Sequence, residues 1–250
     1  MGNKVTISGA PEGFDATLVL SELEKNGPCA VHVARDDKRM LAMREALAFF
    51  APDLPVISFP GWDCLPYDRV SPNADISAAR MSTLAALVHG GLPKRYVIVT
   101  TVNAATQKVP AREVLREAAF TAVVGERVDE AALRTFLVRM GFVQAPTVSE
   151  PGDYAIRGGI IDIYPPGDGG PVRLDFFGDV FDGARRFDAA TQRTTEKLDV
   201  VELAPVSEII MDDAAITRFR QNYRLEFGAA GTDDPLYEAV SAGRKHAGIE

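Results

Sequence analysis

The sequence predicts an α/β protein: a parallel sheet with flanking helices, then a smaller α+β module, then the start of a third module. Three observations point there. Up to about residue 118, short apolar runs of strand length alternate with segments of helical period. From 119 to about 205 the chain reads strand after strand between Gly and Pro turn signals. Beyond Ser207 helical spacing returns, which sets expected modules at 1–118, 119–205 and 206–250.

Residues 5–10 read as a first short strand ending in Ser8-Gly9-Ala10, and Ala16 to Lys25 as a helix that packs Leu18, Val19, Leu20 and Leu23 inward. Cys29 to Val33 is a second strand. Asp36 or Asp37 can cap a helix running to Phe50, because a short carboxylate accepts from the free N–H groups of a first turn. Pro55–Phe59 and Tyr96–Thr100 are further strands, with a helix over Ile76–Val88 between them. Strands alternating with helices imply a parallel sheet covered on both faces. In the second module Phe120–Val124 opens as a strand, and Asp129 caps a helix through Met140 that Gly141 stops. Strands follow on both sides of Gly158-Gly159 and over Val172–Phe177. In the third, Asp212 or Asp213 caps a helix holding Ile216 and Phe219, and another begins near Pro235.

Composition narrows the function classes. With 46% hydrophobic residues and ordinary Gly and Pro content, the 250 residues have the make-up of a folded globular protein. No window approaches the apolar length of a membrane span, and no basic flank leads into an apolar signal core, so the expectation is a cytoplasmic protein. Cys29 and Cys64 form no Cys-x-x-Cys pair, and His32, His89 and His246 share no ligand spacing, so no disulfide or metal site is expected. The net charge is −8, and none of the three modules is net basic, which removes bulk attraction to a phosphate backbone.

Three places invite a chemical reading. The turn Ser8-Gly9-Ala10-Pro11-Glu12-Gly13-Phe14-Asp15 stands where a nucleotide loop would, but its glycines are one residue too close and no lysine follows. Glu12 and Asp15 would also repel a triphosphate, so an ordinary strand-to-helix turn is the better reading. Trp62 and Tyr67, with Pro66 and Pro72, read as the packing of an ordered loop over a sheet edge. Arg173 and Phe177 lie four apart on one strand and share a face, which Arg157 on a neighbouring strand can join. Two arginines flanking an aromatic suit a protein-interface hot spot; the alternative pairs the arginines with Asp162, Asp175 or Asp179 and buries Phe177 in the core. Arg185-Arg186 with Arg193 is a weaker candidate for touching a phosphate backbone, with a solvated face as the plainer reading.

Two blocks carry a family resemblance. One is Glu150-Pro151-Gly152-Asp153-Tyr154-Ala155-Ile156-Arg157-Gly158-Gly159-Ile160-Ile161-Asp162-Ile163-Tyr164-Pro165-Pro166, followed by Val172-Arg173-Leu174-Asp175-Phe176-Phe177. The other is Phe59-Pro60-Gly61-Trp62-Asp63-Cys64-Leu65-Pro66-Tyr67-Asp68 with Ser71-Pro72-Asn73-Ala74-Asp75-Ile76-Ser77. Together they resemble the UvrB-like N-terminal region of the bacterial transcription-repair coupling factor (Mfd) family, in register from about Val5 to the last residue.

The resemblance implies that 1–118 is a degenerate helicase-like domain similar to UvrB domain 1a, without a working P-loop. It implies that 119–205 is a UvrA-binding adaptor and 206–250 the start of a domain like 1b, cut short, in a fragment of a longer protein. The family equivalents of Arg157, Arg173 and Phe177 contact UvrA. The implied job is to recruit the UvrA excision-repair complex to lesions where RNA polymerase has stalled. In such a protein ATP and magnesium serve a C-terminal DNA-translocase motor outside this sequence, RNA polymerase and DNA are held by other domains, and a C-terminal domain masks the UvrA face. No catalytic residue, cofactor or metal is expected in this segment. UvrB inserts an aromatic-rich hairpin between DNA strands in the region after its corresponding strand, whereas Trp62 and Tyr67 alone make a poor wedge. Two other readings stand beside this one: a UvrB-type nucleotide-dependent DNA-processing enzyme, and a structural brace that restrains the translocase.

Overall fold

The computed structural model describes residues 4–65, 70–167, 169–228 and 234–249. In chain order the elements are α1 (Phe14–Asn26), β1 (Cys29–Ala34), α2 (Asp37–Phe50), β2 (Val56–Phe59), α3 (Ala74–His89), β3 (Tyr96–Thr101), α4 (Val102–Thr106) and α5 (Arg112–Glu117). There follow β4 (Phe120–Val123), α6 (Glu130–Arg139), β5 (Val143–Gln144), β6 (Asp153–Arg157), β7 (Ile160–Ile163), β8 (Val172–Phe177), β9 (Val180–Phe187), β10 (Thr194–Leu198), β11 (Val200–Leu203), α7 (Asp213–Phe227) and α8 (Pro235–Ser241). The protein is therefore mixed α/β. Its contacts gather into two compact units, one of Met1–Gly61 with Gly90–Lys108 and one of Trp62–His89 with Val109–Glu250.

The first unit is built on a parallel sheet ordered β1-β3-β2. Its core joins Leu23 of α1, Met43 and Leu47 of α2, and Val97 and Val99 of β3. Asp36 caps α2 by accepting from Arg39 N at 2.9 Å. That backbone bond, then the Arg35 side chain, holds its carboxyl below the usual carboxylate range. Two expectations fail here. Residues 5–10 form no strand: Val5 and Ile7 are exposed, and no ladder partner stands beside them among the described residues. Nor are both faces of the sheet covered within the unit. The α1 and α2 side carries the core, while Val31 and Val33 on the other face of β1 remain exposed.

In the second unit an almost wholly antiparallel sheet runs β10-β9-β8-β7-β6-β5, parallel only at β5–β6, with β11 and β4 as a separate antiparallel pair. Alternation along β7 and β8 sends Ile161, Ile163, Val172 and Leu174 into a core completed by Leu133 and Leu137 of α6. Asp129 caps α6 through the Ala131 and Ala132 amides, as its position before the helix predicts. Gly141 then ends the helical segment at φ +87°, in a site where a Cβ would meet Ser207 Cβ at 2.8 Å. The segment after β11 lies against the end of α6, and Val206 N donates to Met140 O at 3.0 Å. Asp212 caps α7, Asp234 caps α8 with Pro235 in its first turn, and Met211, Ile216 and Val240 form their shared core. The helix read over Ile76–Val88 is α3, and its contacts fall in this second unit.

Candidate protein-docking site

The face of the large sheet opposite the α6 core collects the residues singled out by sequence. On β8, Val172 and Leu174 point to the core, so Arg173, Asp175 and Phe177 take the other side. The β7–β8 register sets Asp162 directly opposite Arg173, and the β6–β7 register sets Arg157 opposite Ile160, one pleat further along. Asp162 thus lies within reach of two arginines from two strands.

Its carboxylate is buried, with the side chain 2% exposed. Arg173 grips it at both oxygens: Nε donates to Oδ1 at 2.7 Å and Nη2 to Oδ2 at 2.9 Å. These bonds hold Arg173 protonated beyond arginine's ordinary range, and its guanidinium also lies 4.9 Å from the centre of the Phe187 ring. Arg157 approaches the same carboxylate only to 3.7 Å, and its Nη2 donates instead to Pro146 O at 2.7 Å and Thr147 Oγ1 at 3.3 Å. Exposure follows the same order, with side-chain values of 19% for Arg173 and 49% for Arg157. Phe177, at the end of the strand, is 82% exposed.

The alternative that pairs the arginines with carboxylates is met in part. The arginines do pair with a carboxylate, and of the three considered it is Asp162. Phe177, however, is not core. Sequence reasoning missed Ile160, which adds exposed apolar surface between Arg157 and Asp175. It also missed the use of Arg185, which stands opposite Arg173 and is relieved of like-charge contact by its own pair with Asp175 at 3.2 Å. The signal for both was strand register, which turn positions fix. Arg186 is matched by Glu196 at 3.4 Å, and Arg193 is exposed.

The other two candidate places carry different geometry. Trp62 donates from Nε1 to Glu208 Oε1 at 3.1 Å, and Arg80 binds the same carboxylate, with Nη2 at 3.0 Å from Oε2. Trp62 is thus a packing partner of a buried ion pair, while Tyr67 and Pro66 lie outside the described residues. In the turn before α1, Glu12 pairs with Arg39 at 2.9 Å and Asp15 sits in the first helical turn. Among the described residues no group of three or more His, Cys, Asp and Glu side chains is placed to hold a metal, and no helix is long and apolar enough to cross a membrane.

Residues 120–209, which include the strands that carry Arg157, Arg173 and Phe177, match the family described as the UvrB interaction domain. A transcription-repair-coupling factor of Escherichia coli (strain K12) is 37% identical over 235 residues, 94% of this chain and 20% of that protein. One of Haemophilus influenzae is 32% identical over 95% of this chain and 20% of its own length, and one of Myxococcus xanthus 38% over 73% and 16%. The chain spans about a fifth of the length of the curated relatives it matches. Over that span it belongs to the transcription-repair-coupling factor family, and it carries a UvrB interaction domain at residues 120–209.

Proposed function

We propose that this chain is a non-catalytic adaptor that docks UvrA through Arg157, Arg173 and Phe177, and so recruits excision repair to lesions where RNA polymerase has stalled. One observation carries the reading. An arginine pair shares a buried carboxylate beside an 82% exposed phenylalanine, inside the segment that matches the UvrB interaction domain. Aromatic and arginine side chains of this kind dominate interface energetics. The relatives' name, which joins transcription to repair, supports the biological setting.

In this reading residues 1–118 form a UvrB-like domain 1a without nucleotide chemistry, 119–205 the adaptor and 206–250 the start of domain 1b. The segment uses no cofactor of its own. ATP, magnesium, DNA and RNA polymerase belong to other parts of a cytoplasmic DNA-translocase parent, in which a C-terminal domain covers the docking face at rest. The carboxylates of Glu12 and Asp15 beside α1 weigh against the UvrB-type enzyme.

Calorimetric titration of the 250-residue chain into UvrA tests the proposal. Saturable binding is expected, weakened about 30-fold by Arg173→Ala, which corresponds to about 2 kcal/mol. A well-folded wild type that does not bind overturns the adaptor reading and leaves the structural brace that restrains the translocase.

A further inference from the structure

We infer that Asp162 is the positioning residue of this face: it fixes Arg173 and leaves Arg157 to exchange onto a carboxylate of the partner. The inference rests on the docking reading above and deepens it. Its basis is an asymmetry in how one buried carboxylate serves two arginines. Arg173 satisfies both Asp162 oxygens, at 2.7 and 2.9 Å, and is itself mostly buried over Phe187. That single bidentate partner neutralises Asp162, so the carboxylate is not left uncompensated if the second arginine departs.

Arg157 is the surplus charge. It stands 3.7 Å from Asp162 and is held by neutral acceptors, the Pro146 carbonyl and the Thr147 hydroxyl. Opposite Arg173 on β9, Arg185 is already matched by Asp175. The Arg157–Asp162–Arg173 group therefore carries one positive charge in excess, placed on its more exposed member, which stands opposite Ile160 on the face that Phe177 shares. A partner that buries the aromatic also desolvates that charge, and desolvated guanidinium needs an ionised acceptor. The complementary surface is thus a carboxylate beside an apolar recess.

Arginine guanidinium N–H exchange, followed by NMR on the 250-residue protein free and bound to UvrA, reads the two arginines separately. Arg173 should be protected in both states, and Arg157 should exchange at least about tenfold more slowly once bound. Asp162→Asn should remove the Arg173 protection and weaken UvrA binding by about tenfold or more. Arg157→Gln should weaken binding and flatten its dependence on NaCl while Arg173 stays protected, and it decides the matter if Asp162→Asn does not fold. Equal Arg157 exchange in free and bound protein, or wild-type affinity in a folded Asp162→Asn, overturns the inference while the docking reading survives. A folded wild type that fails to bind UvrA removes both.

Discussion

Two arginine–carboxylate pairs in the second unit use the same chemistry to opposite ends. Arg80 and Glu208 are both buried, with side chains 0% and 6% exposed, and Trp62 closes the group from a third segment. Asp162 and its arginines are graded instead, from a buried carboxylate through Arg173 to a half-exposed Arg157. A pair sealed from water on every side can only hold the chain together, because nothing else can reach it. A pair open on one side keeps a charge in play for a partner. Burial, not residue type, separates a pair that only braces the fold from one that a partner can still reach.

The comparison breaks most visibly at Glu208. Glu208→Ala removes the buried carboxylate that Arg80 and Trp62 both bind and should destabilise the protein by about 3–5 kcal/mol in urea unfolding. The fraction that remains folded should bind UvrA as the wild type does. A loss of UvrA affinity in that folded fraction would mean the two regions are not separate. Next in size is Gly159→Ala in the β6–β7 turn, where a Cβ would meet the Phe176 carbonyl oxygen at 2.6 Å. Displacing that backbone should cost about 1–3 kcal/mol and disturb Arg157, so stability and affinity should fall together.

Phe177→Ala sharpens the contrast from the other side. An exposed side chain contributes little to folding, so urea stability should move by less than about 0.5 kcal/mol while UvrA affinity drops by about tenfold or more. The smallest effect is expected at Arg127, whose pair with Asp179 at 3.3 Å is exposed on both sides. Arg127→Ala should change stability by less than about 0.5 kcal/mol, and a larger change in thermal unfolding would show that exposure is a poor guide here.

Much of this was legible in the sequence because it is locally encoded. Asp36, Asp129 and Asp212 announce their helices, and alternation over Val172–Phe177 puts Arg173 and Phe177 on one face. Which of Asp162, Asp175 and Asp179 would take Arg173 was open, because the choice depends on how β7 lies against β8. The Arg80–Glu208 pair left no sequence signal at all: its members are 128 positions apart and no periodicity links them. Val5 and Ile7 misled in the opposite direction, since apolar alternation makes a strand only where a neighbour accepts its hydrogen bonds.

The order of the large sheet has a consequence for synthesis. From β6 to β10 every neighbour in space is also the next strand in the chain, so each pairing closes only a short loop. Arg157, Asp162, Arg173 and Phe177 all lie within the first three of those strands. Glu208, by contrast, must find an arginine on a helix made long before it. On the ribosome the strands that carry these four residues can pair as soon as β9 emerges, while the Arg80–Glu208 pair waits for the segment beyond β11. A chain interrupted between those two points would already hold Arg157, Asp162, Arg173 and Phe177 on paired strands, before Glu208 has reached Arg80.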